Sequence, residues 1–294
     1  MKNLNLNPYP PIIRCLIKIH KTHSPNRPIV NWKEAPAYKL AKMLTKKLGI
    51  LIPIPYIFNI KNSIQLVEDL LDILFDKDLK FISFDIENMY SNIPITELTK
   101  IIEVMCTQNR LNTEIKDEII KICNILTKQN YFQYEDLQYI TRRWTSHGTS
   151  HIILSEIYLQ YLENTKIFYI LLKHQIIGYF RYLDDILILY KNGVTNMCDM
   201  LDAFNKITPT MTFTMEEEVN TSIDLLDISI SIDTPKISFN VYRKPTTTDI
   251  IIPNDSCHPP EQKLAGIRYL VNHLPTYPIN EINKIKKKKK NMTQ

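Results

Sequence analysis

Glycine is scarce in this chain: five residues among 294. So few leave no room for a Gly-rich phosphate cradle or a dinucleotide fingerprint, which argues against P-loop and Rossmann enzymes. Any phosphate must then be held by side chains or by metal. Cysteine is sparse too. Cys15, Cys106, Cys123, Cys198 and Cys257 are scattered without CxxC spacing. An odd, dispersed set points to reduced thiols and an intracellular protein. His147 and His151 stand four apart, but no Glu follows His147, so the zinc-protease pattern fails. His20 and His23 lack a second ligand pair. Both pairs read as loop or surface residues. No secretory signal is visible at the N-terminus, and no uncharged run approaches a membrane span.

What is present is a core and a segregated charge. The hydrophobic fraction is 44%, enough to rule out wholesale disorder. The length allows one large domain or two ordinary ones. The net charge of +5 hides a pattern. Residues 1–50 carry ten Lys and Arg against a single acid, Glu34, and residues 242–294 carry ten against four acids. The middle is correspondingly acidic. Basic flanks around an acidic centre suit a polyanion held at its sides while metals occupy the middle. The plainer alternative is a chance bias in a Lys- and Ile-rich chain, and it weighs most for the C-terminal run.

The acidic centre has a focus. Residues 178–190 read GYFRYLDDILILY, two apolar and aromatic runs around Asp184 and Asp185. Such a pattern predicts a tight strand–turn–strand hairpin. Arg181 is the only nearby cation. A lone Asp-Asp would be an ordinary solvated turn. A second apolar strand, KFISFD, also ends in a carboxylate, Asp85. Two strands that each deliver an Asp to one sheet edge can hold divalent cations, and hard oxygen donors suit Mg²⁺. A pair of such ions about 4 Å apart serves phosphoryl and nucleotidyl transfer.

Around this focus the chain predicts alternating elements. Residues 12–30 read as two strands joined around Ser24-Pro25-Asn26, with Lys18, Lys21 and Arg27 on or beside them. A helix is expected over 36–48. Another is expected from Ser63, as N-cap, through Phe75, burying Ile64, Val67, Leu70, Leu71 and Leu74. Further helices are expected over 96–107, 113–128, 153–164, 195–207 and 261–274. Hairpins are expected over 131–141, turning at Glu135-Asp136, and from two strands, 225–232 and 236–242. Glu216, Glu217 and Glu218 read as a solvated strand end.

The motifs FDIENMYSNIP (84–94) and YFRYLDD (179–185) resemble motifs A and C of reverse transcriptases. With IKIHK (17–21), RPIV (27–30), ILSEIYLQYLEN (153–164) and VYRKPTTTD (241–249), the sequence resembles the reverse transcriptase of Penelope-like retroelements, relatives of telomerase. The resemblance covers roughly Ile12 to Pro278. It implies an α+β, right-hand polymerase core: fingers over 1–77, a palm with an antiparallel sheet and inserted helices over 78–250, and a partial thumb with a Lys-rich tail over 251–294. It implies RNA-directed DNA synthesis with two Mg²⁺ ions, an RNA template, a DNA primer and deoxynucleoside triphosphates. Asp85 and Asp184 would ligate both metals, with Asp185 assisting. Lys18 and Arg27 would meet the triphosphate and template, and Lys21 the template. Tyr90, five residues after Asp85, would pack on the nucleotide sugar and exclude a 2′-hydroxyl. Arg243 and Lys244 would contact the primer backbone, a contact that positions and reads no sequence.

One block departs from the family. The loop before residue 153 should carry glycine and small residues; here it reads Arg142-Arg143-Trp144-Thr145-Ser146-His147-Gly148-Thr149-Ser150-His151. The family also usually continues into a fuller thumb and often a GIY-YIG endonuclease domain, so a partial or degenerate copy is in view. Two readings therefore stand. One is an active, intracellular, nuclear polymerase, the Lys284–Lys290 region being a nuclear address or nucleic-acid tail. The other is a catalytically silent, nucleic-acid-binding relic. A metal-dependent nuclease using the same carboxylates is a third option, against which the basic fingers and Tyr90 argue.

Overall fold

A computed structural model describes residues 8–17, 26–55, 57–140, 149–233, 236–244 and 252–273. In chain order they form β1 (Ile12–Ile17), β2 (Asn26–Asn31), α1 (Tyr38–Leu51), α2 (Ser63–Leu71), β3 (Leu79–Ile86) and the short α3 (Met89–Asn92). Then come α4 (Ile95–Gln108), α5 (Thr113–Lys128), β4 (Tyr131–Tyr134), β5 (Leu137–Ile140) and α6 (Thr149–Leu162). A π-helical turn, Glu163–Ile167, leads from α6 into α7 (Phe168–Lys173). Last are β6 (Gly178–Tyr182), β7 (Asp185–Lys191), α8 (Met197–Asn205), β8 (Phe213–Glu217), β9 (Ser222–Leu225), β10 (Ile228–Asp233), β11 (Lys236–Val241) and α9 (Pro260–His273). The class is mixed α+β, with antiparallel sheets and packed helices.

The chain divides into two compact units, each assembled from separated segments. The first comprises Met1–Ile57, Ile86–His174 and Met197–Thr214. Its sheet has the order β2-β1-β4-β5. β1 runs antiparallel to β2, as expected of two strands over 12–30, with the residues 18–25 between them outside the described set, and Ile12 pairs in parallel with Gln133 of β4. Its helices pack around α6, which meets α1 and α4. Leu154, Ile157, Tyr158, Leu159 and Leu162 are buried, and so are the polar Ser155, Glu156 and Gln160. In α6 every position from 154 to 160 is buried, as in a core helix, while Ile152 and Tyr161 on either side are exposed. Its polar groups are answered within the fold: Gln160 donates to Glu156 at 2.8 Å, and the Tyr158 hydroxyl donates to Glu97 of α4 at 3.0 Å. All five cysteines are free thiols, and burial pushes the Cys123 thiol up to about 12. No described helix is long and apolar enough to cross a membrane.

The second unit comprises Phe58–Asp85, Gln175–Asn196 and Met215–Gln294. It contains most of a sheet of order β6-β7-β3-β8 and a sheet of order β11-β10-β9. One face of β3 and β7, with Leu79, Phe81, Leu187 and Leu189, packs with Leu66, Val67 and Leu70 of α2 and with Ile223, Ile228 and Ile230. The opposite face, with Ile82, Phe84, Ile186 and Ile188, is buried as well. That double burial explains why β3 and β7 read as near-continuous apolar runs. Gly178 opens β6 where a Cβ would lie 2.8 Å from the Phe180 ring.

Four local expectations need correction. Asn62 caps α2, accepting from Gln65 N–H at 3.0 Å, while the Ser63 hydroxyl reaches Asp227. The buried stripe of α2 runs through Ser63, Leu66, Val67 and Leu70, whereas Ile64, Leu71 and Leu74 are exposed. The helix ends at Leu71, and Phe75 beyond it packs on Phe81 at 5.9 Å. The strand expected over 225–232 breaks into β9 and β10, because Leu226 takes the left-handed conformation (φ 56°) and turns the chain.

Candidate active site

β3 and β7 pair antiparallel, and their register sets Asp85 directly opposite Asp185. Cα atoms so paired are about 4.5–5.5 Å apart, and their side chains share one face of the sheet. On the far side of β7, Tyr182 of β6 pairs with Asp185. A row Tyr182–Asp185–Asp85 therefore crosses three strands at one end of the sheet. Asp184 sits beside it in the two-residue turn Leu183-Asp184. All three carboxylates are half-buried. The register brings Asp85 and Asp185, a hundred positions apart, opposite one another; Asp185 begins the strand, and only Asp184 is in the turn.

The turn is conformationally costly. Leu183 has φ 55° and Asp184 has not, the sign pattern of a type II′ turn, which favours glycine at that first position. Arg181 sits behind it. Its register partner is Ile186, which pairs in turn with Phe84, so it belongs to the face opposite Asp85 and Asp185. Its side chain is 1% exposed and its guanidinium donates to the Leu183 carbonyl at 3.2 Å. The Arg181 backbone bonds to Phe58 and Ile60, closing the β6 edge. Sequence reasoning noticed this cation and gave it no role. The signal was there: an Arg within an aromatic strand, one position from a residue that must face the site.

Like charges directly opposed on a sheet are destabilising, and a cation between them offsets that cost. Among the described residues, no group of three or more His, Cys, Asp or Glu is gathered to hold a metal ion. The Asp85–Asp185 pair nevertheless suits magnesium, which commonly takes one or two carboxylates and leaves its remaining positions to water and substrate phosphates.

The other predicted site residues divide between the units. Arg243, half-buried, and Lys244, exposed, follow β11 and belong to the unit of the three aspartates. Arg27 lies on β2 opposite Leu16, its side chain outside the described set. Lys18, Lys21, residues 142–148 and the Lys-rich tail also lie outside the described residues. Tyr90 lies on α3, half-buried. The left-handed Asn88 (φ 47°) opens α3, and Glu87 is anchored through its N–H to the Thr212 carbonyl at 2.9 Å.

The Tyr90 ring stands edge-to-face on His151 of α6, centroids 6.2 Å apart at 82°. His151 is 1% exposed, so the expectation of a loop or surface histidine fails. It continues into Ile152-Ile153-Leu154 on a core helix, and that apolar run was the missed signal. Glu218 is a second correction. Glu216 and Glu217 are exposed, but the Glu218 carboxylate accepts from Phe81 N–H at 3.0 Å and lies 3.8 Å from Lys80 Nζ. Burial, then Glu218 and Glu217, pushes the nearby Tyr190 phenol up.

No family model matches the chain, nor does any curated protein sequence. Solved structures do. Telomerase from Candida albicans, in complex with a fragment of telomeric RNA, is 13% identical with a TM-score of 0.58, over 98% of this chain and 55% of that one. Telomerase from Candida tropicalis with the corresponding RNA fragment is 11% identical, TM-score 0.58, over 93% of this chain and 50% of that one. The apo Candida tropicalis enzyme truncated of its C-terminal domain is 11% identical, TM-score 0.55, over 81% and 56%. The chain thus shares its fold with these telomerase structures and spans about half their length.

Proposed function

We propose that this chain is an RNA-directed DNA polymerase of a Penelope-like retroelement, with fingers over 1–77, palm over 78–250 and thumb beginning at 251. The observation that carries the reading is the cross-strand opposition of Asp85 and Asp185, with Asp184 in the adjoining turn. Asp85, Asp184 and Asp185 would hold two Mg²⁺ ions. When bound, the metal pair lowers the pKa of a primer 3′-hydroxyl and neutralises the departing pyrophosphate. The chain's own share is positioning and charge. The ladder sets the backbone positions of Asp85 and Asp185, and the turn that of Asp184. Lys18 and Arg27 contribute charge for the triphosphate, Arg suiting bidentate contact and Lys a point contact. Lys21 is assigned to the RNA template, Arg243 and Lys244 to the DNA primer, and Tyr90 to the sugar of the deoxynucleoside triphosphate. The fold shared with telomerases bound to RNA supports a nucleic-acid partner. A nuclear location is part of the same reading.

A second reading, nucleic-acid binding without turnover, is favoured by the bulky residues at 142–151 where the resembled family is small. Primer extension on an RNA template with Mg²⁺ separates the two. Extension by wild type is expected. None, at concentrations where the protein binds the primer–template duplex, selects the second reading.

A further inference from the structure

We infer that His151 is a positioning residue that fixes Tyr90 as the wall of the nucleotide's sugar pocket, and so sets discrimination between deoxyribo- and ribonucleotides. The inference rests on the polymerase reading for the role of Tyr90, but its physical basis is the His151–Tyr90 contact. A wall that excludes one hydroxyl must not yield. Tyr90 is poorly placed to be rigid alone, because α3 is a single four-residue turn and its phenol is only half-buried. α3 packs against α6, and the contact ring is His151. His151 is 1% exposed, on a helix whose next turns bury Leu154, Ile157 and Tyr158. Edge-to-face aromatic pairs are worth about 0.5–1.5 kcal/mol beyond their buried area. The imidazole therefore limits the rotation and retreat of the phenol.

This gives a reason for a bulky residue in a stretch expected to be small. His151 does not project into solvent; it is buried with its ring against that of Tyr90. It touches no substrate in this scheme and acts only through the tyrosine.

The test is an equilibrium measurement that needs no turnover. Binding of dTTP and of UTP is titrated against wild type on a poly(rA) template with a 3′-deoxy-terminated primer, then against Tyr90→Ala, His151→Ala, His151→Gln and His151→Phe. Wild type is expected to prefer dTTP and Tyr90→Ala to lose the preference. His151→Ala and His151→Gln should lower the dTTP-to-UTP affinity ratio about tenfold, the scale of one misfitted group. Their dTTP affinity should change much less. His151→Phe, which restores a ring, should retain most of the ratio. A wild-type ratio in His151→Gln, or no preference in wild type, overturns the inference. If His151→Ala does not fold, the Gln and Phe variants decide it. Primer extension with the same proteins keeps the two claims apart: no extension, with a His151-dependent dTTP preference, sinks the polymerase reading alone, while extension with an unchanged ratio in the His151 variants sinks this one alone.

Discussion

The carboxylate row and the Tyr90–His151 pair are built by different means. Asp184 and Asp185 are placed by a hairpin whose strands adjoin in sequence, and Asp85 by one ladder. Each position follows from hydrogen-bond register, which admits no intermediate: a one-residue slip would send Asp85 to the other face. Tyr90 and His151 lie 61 positions apart on two helices, and their ring contact is one of side-chain packing. Packing yields by degrees. The comparison teaches that the carboxylates are placed by a ladder of fixed register, while the aromatic pair is placed by a contact that single substitutions can tune.

The largest effect expected is on the ladder. Asp85→Asn and Asp184→Asn should each lower primer extension by about 10³-fold, because several kcal/mol of charge stabilisation is lost. Binding of the primer–template duplex should persist. Thermal stability should hold or rise slightly, since the change relieves like-charge opposition at Asp85. A fall in stability by more than about 2 kcal/mol, measured by urea unfolding, would show these carboxylates to be structural members and would erase the contrast with the aromatic pair.

The next effect tests what holds the turn. Arg181→Ala removes a buried side chain and the donor to the Leu183 carbonyl, so a loss of about 3 kcal/mol is expected. Extension should fall as well, because Asp184 loses its fixed turn. Urea unfolding paired with the extension assay checks both. An Arg181→Ala protein of wild-type stability would show that the turn holds itself.

The carboxylate end was legible before any coordinates because strands carry their partners in their pattern. Two apolar runs around Asp184-Asp185, and a third ending at Asp85, leave few ways to pair. The rest needed three dimensions. The burial of His151 depends on what α6 packs against, and the apolar run Ile152-Ile153-Leu154 was its one trace in the sequence. The cap of α2 was misplaced by one residue because Asn62 and Ser63 are both good caps, and Asp227, far along the chain, takes the Ser63 hydroxyl. The break at Leu226 was hidden because leucine rarely adopts φ 56°. The pattern had no glycine there to announce it.

The smallest effect asks whether the two units respond separately. Each carries one helix capped by the same chemistry. Asn62 accepts from Gln65 N–H at 3.0 Å in the unit of the aspartates, and Asn112 accepts from Ile115 N–H at 2.8 Å in the unit of Tyr90 and His151. Asn→Ala at either cap should cost about 1 kcal/mol. Native-state hydrogen exchange locates the loss, since protection falls in the cooperative segment that the cap supports. Asn62→Ala is expected to lower protection in α2 and in the β9–β11 sheet that packs with it. Asn112→Ala is expected to lower it in α4 and α5, leaving β6 and β7 unchanged. If both substitutions lowered protection equally throughout, the chain would unfold as one body. The aromatic pair and the carboxylate row would then share a single stability, and tuning one would always tax the other.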